Sequence, residues 1–314
     1  MATAETVQLL MATYNGSQFI AEQIKSLQLQ TYPHWQLWIR DDLSTDSTPE
    51  IIEQFARQDL RIQVVASDGK RLGACRNFAH LLQASPSNQY TMFCDQDDWW
   101  HANKIETMLQ KMQSVEQEYG QIPLLIHADL EVVDAQLQTI CDSFWKYHAI
   151  KPGRCTLNRL LVQNPIPGCA MLFNGPLREI AVPIAEGALM HDWWLVLVAS
   201  IFGRIVPIDA VLGQYRQHGH NWAGAEEYNA WRALTKLLHF SDNTQLQQAT
   251  AQSVVHARTF LDCYRTRLNV PTLRIIEDFV SLVEENFWGK RVKLVRNRFF
   301  RHGLVSTIGM IARI

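Results

Sequence analysis

Short apolar runs alternate with helix-period segments through the first hundred residues, and this alternation restricts the fold more than any other feature of the chain. Residues 7–12 read as a strand. Ser17 stands where a helix N-cap belongs, and Ile20, Ile24 and Leu27 then recur at helical spacing. Residues 35–39 alternate as a second strand. Thr48 caps a second helix with Pro49 in its first turn, and Ile51, Ile52, Phe55 and Ala56 form its inward face. Residues 62–66 make a third strand, 77–84 a third helix and 90–94 a fourth strand. Repeated βαβ units give an α/β fold with a parallel sheet flanked by helices on both faces.

Ligands of such sheets bind outside the carboxyl ends of the strands, so the residues after each strand carry the functional information. After the first come Thr13, Tyr14, Asn15 and Gly16, and after the second Asp41, Asp42, Ser44 and Asp46. The third is followed by residues 68–73 and then Arg76. The fourth ends in Asp95, Gln96, Asp97 and Asp98. Carboxylates this close repel one another unless a cation sits among them, and Mg²⁺ or Mn²⁺ with oxygen ligands does this while bridging to phosphates. The chain has no G-x-G-x-x-G after the first strand, no G-x-x-x-x-G-K-[ST], no G-x-S-x-G and no H-E-x-x-H. A dinucleotide dehydrogenase, a P-loop NTPase, a serine hydrolase and a zincin are thereby disfavoured. A metal-held phosphate ligand on a parallel sheet fits a nucleotide-sugar transferase.

The later sequence is less regular. Residues 124–126 and 168–173 are strand candidates, 190–202 a helix, and 205–208 and 211–215 short strands. From Glu226 the pattern is helical, with Trp231, Leu234, Leu237 and Leu238 on one face, and the boundary is expected near 222–230. Charge divides the chain further. The net charge is −2, which excludes a uniformly basic nucleic-acid binder. Yet the last acid is Glu285, and Lys290, Arg291, Lys293, Arg296, Arg298, Arg301 and Arg313 follow it. Removing these seven cations leaves an acidic body of −9. The six cysteines show no C-x-x-C spacing and are expected to be buried free thiols in a reducing compartment.

Three ordered motifs, residues 11–16 (MATYNG), 41–48 (DDLSTDST) and 95–100 (DQDDWW), resemble the family 2 glycosyltransferases of the GT-A fold. Residues 168–173 (GCAMLF), 191–194 (HDWW) and 215–221 (YRQHGHN) resemble the rhamnosyltransferase-type bacterial members. The resemblance implies a Rossmann-like, mostly parallel sheet over residues 1–225, with a nucleotide-sugar part (1–100), an acceptor part (101–225) and a helical basic extension (226–314). It implies single-sugar transfer with inversion, since the Q-x-x-R-W of processive members is absent. The donor would be a dTDP- or UDP-sugar, including dTDP-L-rhamnose, and the acceptor a saccharide or lipid-linked saccharide. The alternative is a nucleotide-sugar-binding or scaffolding protein that has lost catalysis.

By the same resemblance, Thr13, Tyr14 and Asn15 would line the base and ribose, and Asp41 or Asp42 would accept from the base N–H. Arg76 would approach the base or diphosphate, and Asp95 and Gln96 the ribose side. Asp97, with Asp95 and His218, would hold Mg²⁺ or Mn²⁺, and His218 or His220 would lie near the diphosphate or metal. Gly168, Cys169, Trp193, Trp99 and His191 would shape the acceptor or sugar pocket. Asp192 would be the general base. Plainer roles compete: helix capping for Asp46 and Ser44, packing for Trp99 and Trp100, and an ion pair for Arg216. The basic tail, residues 290–314, mixes cations with apolar bulk. An anionic membrane surface is favoured for it over packing or an oligomer contact, and no nucleic-acid module accompanies it. With no secretory signal or spanning segment, the expectation is a cytoplasmic protein, peripheral on the inner face of the membrane.

Overall fold

The computed structural model describes residues 5–87, 90–218 and 243–313. Strands β1 (Val7–Thr13), β2 (Trp35–Asp41), β3 (Ile62–Val64) and β4 (Tyr90–Cys94) lie in the order β3-β2-β1-β4, and every pairing among them is parallel. All of β4 and all but one residue of β1 are buried. Both faces of these strands are covered, which is why they read as continuous apolar runs. The crossovers are α1 (Ile20–Gln28), α2 (Thr48–Gln58) and α3 (Ala74–Ala84). Ile20, Ile24 and Leu27 of α1 and Ile52 of α2 pack into one core with Leu9, Met11, Leu37 and Met92. Each such side chain contributes about 1.5–3 kcal/mol by leaving water.

Several boundaries shift for identifiable reasons. The first helix begins at Ile20, not at Ser17, because the Ser17 N–H donates to Asp46 Oδ2 (3.1 Å) and the Gly16 N–H to Thr48 Oγ1 (2.8 Å). The segment is tied to the β2–α2 loop instead of winding. Thr48 is the first residue of α2 and Ser47 its N-cap. Strand β3 stops at Val64; it is an edge strand, with Gln63 and Val64 exposed. Helix α3 starts three residues early, after Gly73 at φ 75°.

The next elements are β5 (Trp99–Trp100), α4 (Lys104–Tyr119), β6 (Leu124–Val133), β7 (Thr139–Cys141), α5 (Phe144–Tyr147) and α6 (Leu157–Leu160). They are followed by β8 (Met171–Phe173), α7 (Gly175–Ala181), α8 (His191–Phe202) and β9 (Arg204–Arg216). The sheet order is β3-β2-β1-β4-β8-β6-β9-β5, with β7 paired to β6. Strand β8 is antiparallel to β4 and β6, β9 is parallel to β6, and β5 is antiparallel to β9. The sheet is therefore parallel in its first half and mixed in its second. The strand expected over 168–173 begins only at Met171, because Gly168–Ala170 forms a 3-10 turn closed by Ala170 N–H to Pro167 O (3.0 Å). The two short strands expected at 205–208 and 211–215 are one strand. Register shifts opposite Asp129 interrupt its pairing and obscured its pattern.

The chain divides into two compact units. The first is Met1–Phe144, Ile166–Ile184 and Met190–Gly224; the second is Trp145–Pro165, Ala185–Leu189 and Ala225–Ile314. The first holds the sheet. The second contains α9 (Asn243–Tyr264), α10 (Val270–Val280), α11 (Phe287–Arg296) and α12 (Leu304–Arg313). Phe260, Ile276, Phe279, Leu294 and Phe299 are buried in it, Phe279 edge-on to Phe299 at 5.0 Å. The face expected from Trp231 to Leu238 lies outside the described residues. No described helix is long and apolar enough to cross a membrane. All six cysteines are free, but only Cys94 and Cys169 are buried and Cys263 is exposed.

Asn174 joins three elements of the first unit. Its Oδ1 accepts from Leu177 N–H (3.2 Å), capping α7, and from Leu124 N–H (3.0 Å) at the start of β6. Its Nδ2 donates to Ile122 O (2.9 Å) and to Glu116 Oε1 (3.0 Å) on α4. Asn174→Ala removes a cap and orphans buried backbone groups. The unfolding free energy from urea titration is expected to fall by about 2–4 kcal/mol.

Candidate active site

The carboxyl ends of β1 and β4 are clamped by one side chain. Tyr14 N–H donates to Gln96 Oε1 (2.9 Å), and Gln96 Nε2 donates back to Tyr14 O (3.1 Å). A Cβ at Gly16 would run into the Gln96 amide, so glycine keeps the clamp closed. Asn15 turns the chain at φ 47°, a conformation that asparagine tolerates. Its N–H donates to Ser44 Oγ and its Oδ1 accepts from Thr45 N–H, both at 2.8 Å. The first two strand-end loops are thereby locked together.

Asp41 and Asp42 have extensive local partners. Asp41 accepts from Thr13 Oγ1 (2.9 Å), Ser44 N–H (2.7 Å) and Ser44 Oγ (2.5 Å). Asp42 is buried and accepts from Leu72 N–H and Gly73 N–H, each at 2.7 Å, and from Arg40 Nη1 (3.0 Å). Sequence reasoning passed over Arg40, which looks like an ordinary strand cation. It is fully buried and also donates to Asn77 Oδ1 (3.1 Å) and Lys70 O (3.2 Å). Arg40 and Asp42 together hold loop 67–73 to the sheet edge. That loop places the Arg71 guanidinium 3.7 Å from the Tyr14 ring centroid. Arg76 is exposed on α3, and Arg71 is the arginine that lines the cavity described below.

At the end of β4 the acids meet the end of β9. His218 Nε2 lies 2.8 Å from Asp97 Oδ2, with its ring stacked on Phe19 at 4.7 Å. Arg216 donates from Nε to Asp97 O (2.7 Å), from Nη2 to Glu22 Oε2 (2.6 Å) and from its N–H to Asp98 Oδ1 (3.2 Å). Beneath them Lys104, fully buried, donates to Cys169 O (2.7 Å) and lies 4.0 Å from the Trp100 centroid. Burial and the charge of Asp97 raise Asp98 to about 7, and burial with Asp98 and Asp97 pushes Asp95 well above the usual carboxylate range. Ligand atoms of Asp95, Asp98 and Cys169 lie within 4.8 Å of one another. Burial also pushes the Cys169 thiol well up, so it stays protonated and is a poor ligand. The donor set that remains is the carboxylates of Asp95 and Asp98, and oxygen ligands suit a hard divalent cation.

One cavity of about 290 Å³ opens along this edge. Among the expected site residues it is lined by Thr13, Tyr14, Asp42, Asp95, Gln96, Asp97, Gly168, His191 and Asp192. Asn15, Asp41, Arg76, Cys169, His218, Trp99 and Trp193 do not line it. Cys169 is buried behind the acids, Trp99 pairs in β5 with Gln214, and Trp193 is packed on α8. His220 lies outside the described residues. Asn77, Phe78 and Met190 also line the cavity and carried no motif that could have marked them; Tyr215 lines it too, at the head of the 215–221 motif that had singled out the histidines instead. Asp192, in the first turn of α8, accepts from Trp193 N–H (2.6 Å).

A sheet with strand-end loops around such a cavity, an acidic β4 end and a C-terminal helical part is the architecture of GT-A glycosyltransferases. The chain belongs to glycosyl transferase family 2, whose family model matches residues 9–180, and it is a glycosyltransferase. It is 31% identical over 223 residues to the dTDP-rhamnosyl transferase RfbG of Shigella flexneri, covering 68% of this chain and 74% of the relative. It is 33% identical over 194 residues to the UDP-Glc:alpha-D-GlcNAc-diphosphoundecaprenol beta-1,3-glucosyltransferase WfgD of Escherichia coli, covering 61% and 69%. Several other curated relatives are matched over less than half of their own length. The fold is similar to S. aureus TarS 1–349, solved in complex with UDP-GlcNAc. The TM-score is 0.52 at 16% identity, covering 98% of this chain and 89% of that one.

The raised carboxyls set a pH dependence. Asp98 holds its proton in the folded state to about pH 7 but loses it near 4 when unfolded, so its contribution to stability is full below 4 and lost as pH rises through 7. Without metal, the melting temperature of the wild type is expected to decline relative to Asp98→Asn between pH 4 and 7. A divalent cation held among these carboxylates would displace that proton, so any Mn²⁺-dependent rise in melting temperature is expected to be larger at pH 7.5 than at 5.5.

Proposed function

We propose that this protein is an inverting glycosyltransferase that moves one sugar from a dTDP- or UDP-sugar, with L-rhamnose as the favoured unit, to a saccharide or lipid-linked saccharide acceptor. The observation that supports this is the single cavity shared by Thr13 and Tyr14, the Asp95–Asp97 run and Asp192. In this reading Tyr14 and Arg71 flank the base, and Thr13 and Asp42 shape the wall beside it. Asp97, Asp95 and His218 hold Mg²⁺ or Mn²⁺, which when bound supplies positive charge to the leaving diphosphate. Asp192 orients the acceptor hydroxyl and takes its proton. The acceptor oxygen bonds to the anomeric carbon opposite the departing nucleoside diphosphate, and that bond breaks with inversion.

The test separates binding from chemistry. Asp192→Asn is expected to lower kcat by about 10²–10⁴-fold while donor affinity changes less than about twofold. Asp97→Asn is expected to abolish both transfer and the Mn²⁺-dependent thermal shift. Near-wild-type turnover in either variant overturns the role given to that residue. Intact donor binding without transfer or donor hydrolysis in the wild type would favour the scaffolding alternative.

The lipid-linked reading is supported by the second unit. On α11, Trp288, Val292 and Val295 are exposed at helical spacing, Trp288 at 73%, and Phe287 is exposed beside them with Arg291 stacked on its ring at 3.4 Å. Exposed Arg296 and Arg298 follow. An apolar, aromatic face with cations matches an anionic bilayer surface. Trp288→Ser with Val292→Ser is expected to reduce co-sedimentation with phosphatidylglycerol vesicles at least fivefold without changing the circular dichroism; equal sedimentation rejects the membrane reading.

A further inference from the structure

His191 opens α8 inside an aromatic slot. Its ring is stacked on Phe78 (centroids 4.0 Å apart, 22° between planes) and edge-on to Phe93 (4.5 Å, 90°). The residue is 3% exposed, and neither ring nitrogen has a hydrogen-bond partner. Leaving buried polar atoms unpaired costs about 1–3 kcal/mol each, and a phenyl ring would fill the same slot without that cost. An imidazole in this slot is therefore expensive unless something else satisfies it.

The surroundings say where that partner enters. A Cβ at position 168 would lie 3.1 Å from His191 Nε2. That is closer than ordinary contact, so glycine at 168 is what lets the ring sit here without crowding this nitrogen. Gly168, His191 and Asp192 all line the same cavity. Burial also pushes the ring down to about 3, so it is neutral through the physiological range. A neutral imidazole offers one donor and one acceptor, which matches a hydroxyl group that can both accept and donate. It does not match a phosphate, which calls for a cation.

We propose that His191 is a specificity-determining residue that hydrogen-bonds a sugar hydroxyl in the cavity it lines together with Gly168 and Asp192. The proposal rests on reading the cavity as a nucleotide-sugar site. The donor sugar and the acceptor saccharide both present the required hydroxyl, and the experiment separates them.

His191→Phe in the chain as described keeps the aromatic stack and removes both nitrogens. Gly168→Ala keeps the imidazole but presses a methyl group against its Nε2. Each is titrated calorimetrically with nucleoside diphosphate alone and with the nucleotide sugar, and the acceptor KM is measured. The expected result is nucleoside diphosphate affinity within about twofold of wild type in both variants. It comes with about a tenfold loss of nucleotide-sugar affinity if the hydroxyl belongs to the donor, or about a tenfold rise in acceptor KM if it belongs to the acceptor. His191→Gln, which retains a donor and an acceptor, is expected to recover part of the loss. If His191→Phe does not fold, Gly168→Ala decides by the same criteria. Sugar affinity and acceptor KM both within twofold of wild type in the variants, or equal losses for bare nucleotide and nucleotide sugar, overturn the proposal. A wild-type protein that binds no nucleotide sugar instead overturns the donor reading beneath it.

Discussion

Mutual repulsion among Asp95, Asp97 and Asp98 is the constraint around which the rest of this edge is arranged. Three carboxylates leave one strand end within four residues, where burial strips away the water that would screen them. The fold answers with positive and donor groups from distant segments. Arg216 donates to Asp98 and to the Asp97 backbone from the end of β9, and His218 reaches Asp97. Lys104 is buried beneath from α4. Even so, burial first and the neighbouring carboxylates second keep Asp95 and Asp98 raised. A site in that condition favours any cation that can enter it.

The opposite wall is rigid for a different reason. Its acids are already engaged by the protein, so Asp41 and Asp42 fix loops around the cavity through their local partners. Arg40 is central here: one buried guanidinium joins β2, Asn77 of α3 and the backbone of loop 67–73, and through that loop sets Arg71 over Tyr14. Preorganisation of this kind lets a binding loop hold its shape before a ligand arrives.

The first half of the fold was legible because both signals it uses are local. Apolar runs at strand spacing and helical spacing between them are read within ten or fifteen residues, and βαβ units call for parallel strands joined by right-handed crossovers. The second half was harder to read. Strand β9 pairs over a register shift opposite Asp129, which disguised it as two strands, and β5 is only two residues long. Helix boundaries moved where a long-range hydrogen bond outcompeted a local cap, as at Ser17 and Thr48.

The sequence by itself determined the parallel sheet, the polar strand ends, the acidic run after β4 and the basic tail after Glu285, since each is a property of contiguous residues. Tertiary structure alone decided which of those polar residues face a common cavity and which are consumed in holding it. Arg71 rather than Arg76 lines it, Trp99 and Trp193 do not, and His191 does so beside Gly168. The physical reason is that side-chain direction and hydrogen-bond competition depend on partners tens of residues away. A one-dimensional pattern records which groups are available but not which of them are already paired.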